Sequence, residues 1–130
     1  MVKISDAEYE VMKIAWRRKE TTSLEIIEDL KDHKWNFNTI RTLIKRLEKK
    51  GALQVSGRRG KTFTYITTID ENEYKREMTR EFVRKLYNDS LQDFILAYCK
   101  ANKVTAEEIQ ELIDYIDEKE KREKNSKEKK

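Results

Sequence analysis

The amino-acid sequence predicts a mainly α-helical chain, in which three helices and a β-hairpin form a first unit and further helices a second. Three observations carry this. Proline is absent and glycine occurs only three times in 130 residues, at Gly51, Gly57 and Gly60, so the breaking residues sit in one short zone. On both sides of that zone apolar residues recur at the three- and four-residue spacing of amphipathic helices. Inside it the spacing changes to two short β-prone runs, one holding Leu53 and Val55, the other Phe63, Tyr65 and Ile66.

Each element has its own signature. Ser5 followed by Glu8 is a capping box, and Tyr9, Met12, Ile14 and Trp16 support a first helix that ends near Lys19. Thr22 with Glu25 repeats the box and opens a short second helix with Leu24, Ile27 and Leu30 on one face. Asn36 caps a third helix, whose Ile40, Leu43, Ile44 and Leu47 share a face, and Lys49-Lys50-Gly51 is how a helix stops. Gly57-Arg58-Arg59-Gly60 then reads as the turn of the hairpin. After Asp70 the helical period returns, with Tyr74, Met78, Phe82 and Leu86 at intervals of four. Asn88-Asp89-Ser90 breaks it, Leu91, Phe94, Ile95 and Tyr98 mark another helix, and Thr105 with Glu108 opens a last one carrying Ile109, Leu112, Ile113 and Ile116. Residues 117–130 are almost wholly charged and read as a disordered tail. The expected division is therefore 1–69, 70–116 and 117–130. There is no internal repeat.

Charge is distributed unevenly. The net charge of +4 is small, but residues 1–69 hold 15 basic and 9 acidic side chains (+6) against 14 and 16 (−2) in residues 70–130. From His33 to Lys61 nine basic residues meet a single acid, Glu48, which is the concentration of positive charge that phosphate contact requires. The lone cysteine, Cys99, excludes an intrachain disulfide and fits a reducing compartment. It reads as a small residue filling a packed gap. No 18-residue apolar run and no signal-like start is present, so a cytoplasmic chain without membrane insertion is expected. His33 is the only histidine, and no second His or Cys stands at ligand spacing, so no metal is expected. No nucleophile–base arrangement or Gly-rich phosphate loop stands out either, so neither an enzyme nor a cofactor is expected.

The third helix carries the chemistry. Asn38, Thr39, Arg41, Thr42 and Lys45 lie off its apolar face near the N-terminal end, where a helix inserted in a major groove presents side chains to base edges. Arg suits guanine, and a Thr methyl suits the thymine methyl. Lys45, Arg46, Lys49 and Lys50 lie one to two turns further along, where phosphates could flank such a helix. The hairpin adds Arg58, Arg59 and Lys61. Three helices followed by a basic-tipped hairpin is the order of a winged helix-turn-helix DNA-binding domain. Trp16 and Trp35 are expected in or beside its core, Trp35 with an indole N–H that could also meet a phosphate. The large apolar residues after Asp70, Tyr74, Met78, Phe82, Leu86, Phe94, Ile95, Tyr98, Ile109, Leu112, Ile113 and Ile116, exceed what three short helices can hide. They are expected to form a helical dimerisation domain, and a twofold dimer matches a palindromic site. The alternative is a winged-helix interaction module whose basic stretch binds an acidic partner protein.

The chain also resembles the BlaI/MecI family of repressors of β-lactamase and resistant penicillin-binding-protein genes. The resemblance runs over about residues 4–116. It is carried by Ile4 to Met12 (ISDAEYEVM), by Trp16, and by Thr39 to Leu47 (TIRTLIKRL) with Lys50-Gly51. It implies a homodimer joined by the C-terminal helices that occupies double-stranded operator DNA built from inverted TACA/TGTA-type half-sites. It implies DNA contact by Asn38, Thr39, Arg41, Thr42 and Lys45. The cysteine-rich motif of the family's copper-responsive members is missing. In the staphylococcal members induction follows a cut between Asn and Phe, linked to a membrane sensor-protease. The matching positions are Ala97 and Tyr98, so the Asn is absent.

Overall fold

The computed structural model describes residues 2–128. Six helices and three strands follow in order: α1 Asp6–Arg18, β1 Thr21–Thr22, α2 Ser23–Asp29, α3 Phe37–Lys49, β2 Leu53–Arg59, β3 Thr62–Thr67, α4 Glu71–Tyr87, α5 Leu91–Ala101 and α6 Ala106–Glu128. They fall into two compact units that divide within α4, after Arg80.

The first unit is a winged helix. Its helices start where their caps dictate. Ser5 and Thr22 close capping boxes with Glu8 and Glu25, and the Asn36 carboxamide accepts from the Thr39 amide. α3 ends in a Schellman motif. The Ala52 amide donates to the Leu47 carbonyl and the Gly51 amide to that of Glu48, with Gly51 at φ 80° and Leu47 and Ala52 both fully buried. Val11, Met12 and Ala15 of α1 meet Ile26 of α2, Ile40, Ile44 and Leu47 of α3, and Leu53 of β2 in one apolar core. The sheet is antiparallel in the order β1-β3-β2. The two-residue β1 has no hydrophobic period to announce it. It forms because Thr21 and Thr22 pair with Tyr65 and Thr64 of β3.

The hairpin turn lies later than the sequence suggests. Arg59 pairs with Thr62, so Gly60-Lys61 is the two-residue turn and Gly57 to Arg59 belong to β2. Gly60 has φ 63° at the first central position, the conformation a type II′ turn requires there. An irregularity between Val55 and Gly57 shifts the register by one residue, as a β-bulge does.

Tyr74 belongs to this first unit. It is buried, stacks at 6.0 Å on Tyr9 and lies 5.7 Å from Trp16, whose indole N–H donates to the Ile69 carbonyl at 2.8 Å. The start of α4 is thus part of the winged-helix core, and the unit runs past residue 69.

The second unit comprises the end of α4 with α5 and α6. Asn88 and Asp89, both at positive φ, turn the chain, and Ser90 caps α5. Phe82, Tyr87 and Phe94 form an aromatic trio with centroids 5.5–6.0 Å apart. Among the described residues no side chain of α5 or α6 is buried. α6 also continues to Glu128, through the stretch expected to be a disordered tail, whose residues 129 and 130 lie outside the described ones. Helix-favouring Glu, Lys and Arg fill that stretch. Asp117/Lys121, Glu118/Arg122, Glu120/Lys124 and Glu123/Lys127 each place an acid four residues before a base, the favourable orientation on a helix.

Candidate nucleic-acid interface

The outer face of α3 is built from below. Ile40, Leu43, Ile44 and Leu47 are buried, which leaves Asn38, Thr39, Arg41, Thr42, Lys45 and Arg46 exposed on the other sides of the helix. Asn38, Thr39, Thr42 and Arg46 line a shallow concavity with Asn36 and Leu43. The Thr42 hydroxyl donates to the Asn38 carbonyl at 2.8 Å, so its donor is spent on the helix and its methyl stays free for an apolar contact.

The C-terminal end of α3 is fixed to α1. Glu8 is 2% exposed, and its Oε1 accepts from Lys50 Nζ at 2.6 Å and from the Ser5 amide at 2.8 Å. Burial raises its pKa, but the Lys50 and Ser5 hydrogen bonds outweigh that and hold it below the usual carboxylate range. Lys50 therefore points inward, where the sequence suggested a phosphate. Its Nζ also donates to the Lys3 carbonyl at 2.9 Å.

Some cations are paired and others are not. Arg17, Arg18, Lys31, Lys50, Lys75 and Arg80 lie against carboxylates. Among the described residues Arg41, Lys45 and Arg46 have no such partner, nor do Arg58 and Lys61 of the hairpin. Arg58 stacks its guanidinium 4.6 Å above the exposed Phe63 ring. Arg59 differs from both neighbours. Its Nη1 lies 3.0 Å from Glu25 Oε1 and its Nη2 3.6 Å from Glu20 Oε1. The wing, basic-tipped in sequence, is met by two carboxylates more than 30 residues earlier in the chain. Neither Glu20 nor Glu25 had a sequence signal for this role, since Glu25 is already explained as a cap.

Other expected residues also find places. Trp16 and Trp35 pack against the edge of the core. The Trp35 ring lies 4.8 Å from His33, whose Nε2 is 3.7 Å from Glu10 Oε2. Phe37, in the first turn of α3, is 65% exposed, and sequence reasoning passed over it.

In the second unit most of the expected dimer residues are uncovered, while Phe94, Ile95 and Ile109 are half-buried. Phe82, Leu86, Tyr98, Leu112, Ile113 and Ile116 are 44–57% exposed, and Leu91, Leu96 and Tyr115 join them. Tyr74 differs. It is covered within the first unit, as above, and is corrected from dimer surface to winged-helix core; Met78 is half-buried beside it with Ile4 and Tyr9. Cys99 is exposed and does not fill a packed gap of the single chain. It lines an apolar groove with Phe94, Tyr98, Val104, Ile109 and Leu112. Ala97 and Tyr98 sit mid-helix in α5. Among the described residues no helix is long and apolar enough to cross a membrane, and no cluster of His, Cys, Asp and Glu could hold a metal.

Comparison with known proteins assigns the chain. Residues 4–118 match the model of the family described as penicillinase repressor. The chain belongs to the penicillinase repressor family. The penicillinase repressor of Bacillus licheniformis is 37% identical over 116 residues, covering 88% of this chain and 90% of the relative. The methicillin resistance regulatory protein MecI of Staphylococcus aureus (strain N315) is 36% identical over 110 residues, covering 84% and 89%. Among solved structures, the DNA-binding domain of the repressor BlaI is 43% identical with a TM-score of 0.51 and covers 56% of this chain and 89% of that domain. A penicillinase repressor is a transcriptional regulator, which is not a class of enzyme.

Proposed function

We propose that this penicillinase repressor homologue is a DNA-binding repressor that acts as a homodimer on a palindromic operator and controls genes of antibiotic resistance. One observation carries the reading: among the described residues the exposed Arg41, Lys45 and Arg46 of α3 and Arg58 and Lys61 at the wing tip have no carboxylate partner, in a stretch where nine basic residues meet a single acid from His33 to Lys61. Unneutralised charge beside an exposed helix face is what a polyanion needs. α3 enters the major groove. Asn38, Thr39, Arg41 and Thr42 meet base edges, and Lys45, Arg46, Arg58 and Lys61 meet phosphates. The names of the relatives support regulation of resistance genes.

The second unit supplies the dimer. Its apolar residues lie open in one chain, and a second copy covers them. Repression is steric occupation of a promoter. Its relief is loss of the paired α5 and α6, by the route the resemblance implies: a membrane sensor-protease and a cut at Ala97-Tyr98. Each half then binds alone, without the effective-concentration gain of its twin.

Selection of duplexes from a random-sequence pool by the purified protein tests the reading. Enrichment of one inverted repeat is expected. Recovery of unenriched sequence, or of none, would favour a module that binds an acidic protein.

A further inference from the structure

The pairing of Arg59 with Glu25 and Glu20 departs from the rest of the wing. From it we infer that Arg59 is a positioning residue, which fixes the wing against α2 so that Arg58 and Lys61 reach phosphate, and is not itself a phosphate ligand. The inference rests on the DNA-binding reading above.

Both ends of the guanidinium are engaged. Glu25 takes Nη1 at 3.0 Å and Glu20 lies 3.6 Å from Nη2. A phosphate at Arg59 would have to displace one carboxylate and lie beside the other. Glu25 is also held firmly. It accepts from the Thr22 amide at 3.1 Å as the α2 capping box, and from Arg18 at 2.9 Å. Arg18 in turn grips Asp29 through two nitrogens at 2.7 and 2.9 Å, and Asp29 takes Arg17 at 2.7 Å. The Arg18 hydrogen bond, foremost, keeps Asp29 below the usual carboxylate range. Arg59 is therefore the outermost member of an alternating chain, Arg17–Asp29–Arg18–Glu25–Arg59, rooted in α1 and α2.

The wing needs such an anchor. β1 pairs only with Tyr65 and Thr64, so from Gly57 to Phe63 the two long strands have only each other. A two-stranded ribbon is marginal on its own. Glu20 adds a second tie, accepting from the Ser56 hydroxyl at 3.1 Å at the bulge. Without these ties Arg58 and Lys61 must be ordered at the moment of binding, a cost of about three- to tenfold in affinity. A ligand and an anchor also differ in the sign expected at Glu25. Removing a carboxylate that competes with phosphate tightens binding, whereas removing one that holds the wing weakens it.

The test uses the full chain and the duplex that the wild type selects from a random pool, titrated over a series of salt concentrations. Arg59→Ala and Glu25→Gln, the latter keeping the cap acceptor, are each expected to weaken binding about three- to tenfold at the wild-type salt slope, with the double variant no weaker than the poorer single. Arg59→Lys, which keeps the charge but cannot fork between two carboxylates, is expected to behave as Arg59→Ala. The inference is overturned by a log–log slope lowered by about 0.9 per chain in Arg59→Ala, by tighter or unchanged binding in Glu25→Gln, or by wild-type binding in Arg59→Lys. If Glu25→Gln is unfolded, the two Arg59 variants decide alone. A wild type with no salt-dependent duplex binding would instead remove the DNA-binding reading.

Discussion

Lys50→Met removes the cation that neutralises Glu8, and the outcome can be worked through from the site. Glu8 Oε1 keeps only the Ser5 amide, and Oε2 already has no partner. Breaking a buried ion pair by deleting one partner costs about 3–5 kcal/mol. The Lys50 side chain is 37% exposed, so part of its charge is solvent-screened and about 2–3 kcal/mol is expected. For a unit of this size that is roughly a 10–20 °C fall in melting temperature at neutral pH. The pH dependence is more diagnostic. In the wild type Glu8 titrates below its ordinary value, so the pair's contribution is complete above the unfolded pKa and is lost as pH falls through the lower folded one. In the variant burial is opposed only by the Ser5 hydrogen bonds, so the folded pKa lies above that of the wild type and the charged carboxylate is less well held. The deficit of the variant is therefore largest at neutral pH and shrinks towards pH about 4. Urea unfolding followed by tryptophan fluorescence measures this cleanly, because Trp16 and Trp35 both report the winged-helix unit. A deficit that stays constant or grows on acidification would refute the assigned coupling of Glu8 to Lys50.

Other consequences are equally specific. Arg41→Ala and Thr42→Ala should each lose about 1–3 kcal/mol of operator affinity and relax preference at one base pair, and selection profiles of the variants read this directly. Arg58→Ala with Lys61→Ala should weaken binding to all duplexes alike and lower the salt slope by about 2 per chain in titrations against operator and random DNA. Phe94→Asp puts a charge into the aromatic trio with Phe82 and Tyr87, and buried charge without a partner is strongly unfavourable. Sedimentation should show monomers, with the fluorescence-detected unfolding of the first unit intact. A fully dimeric variant would take Phe94 out of the interface.

What was legible in the sequence was local. Ser5, Thr22 and Asn36 mark helix starts because a cap is a contact within three residues, and Gly51 marks a stop because the Schellman motif needs a positive φ. The exposed face of α3 follows from its period alone. What was not legible depends on residues distant in the chain. Strand β1 exists only through β3, and Tyr74 carries the same four-residue spacing as Phe82, yet it is drawn into the winged helix by Tyr9 and Trp16. The hairpin turn lies at Gly60-Lys61 because β2 pairs with β3 as far as Arg59 and Thr62, and Gly60 supplies the positive φ there. Arg58, Arg59 and Lys61 look alike as a basic string, and only the fold distinguishes Arg59, by bringing Glu25 and Glu20 to it.

The central claim is that two copies of this chain hold one duplex through α3 and the wing. Lys45, Arg46, Arg58 and Lys61 from each of two copies make eight phosphate contacts. The salt dependence of binding to the selected inverted repeat, with stoichiometry read in the same titration, tests this most directly. The account predicts two chains per duplex and a log–log slope of about −7. One chain per duplex, or a slope near zero, would contradict it.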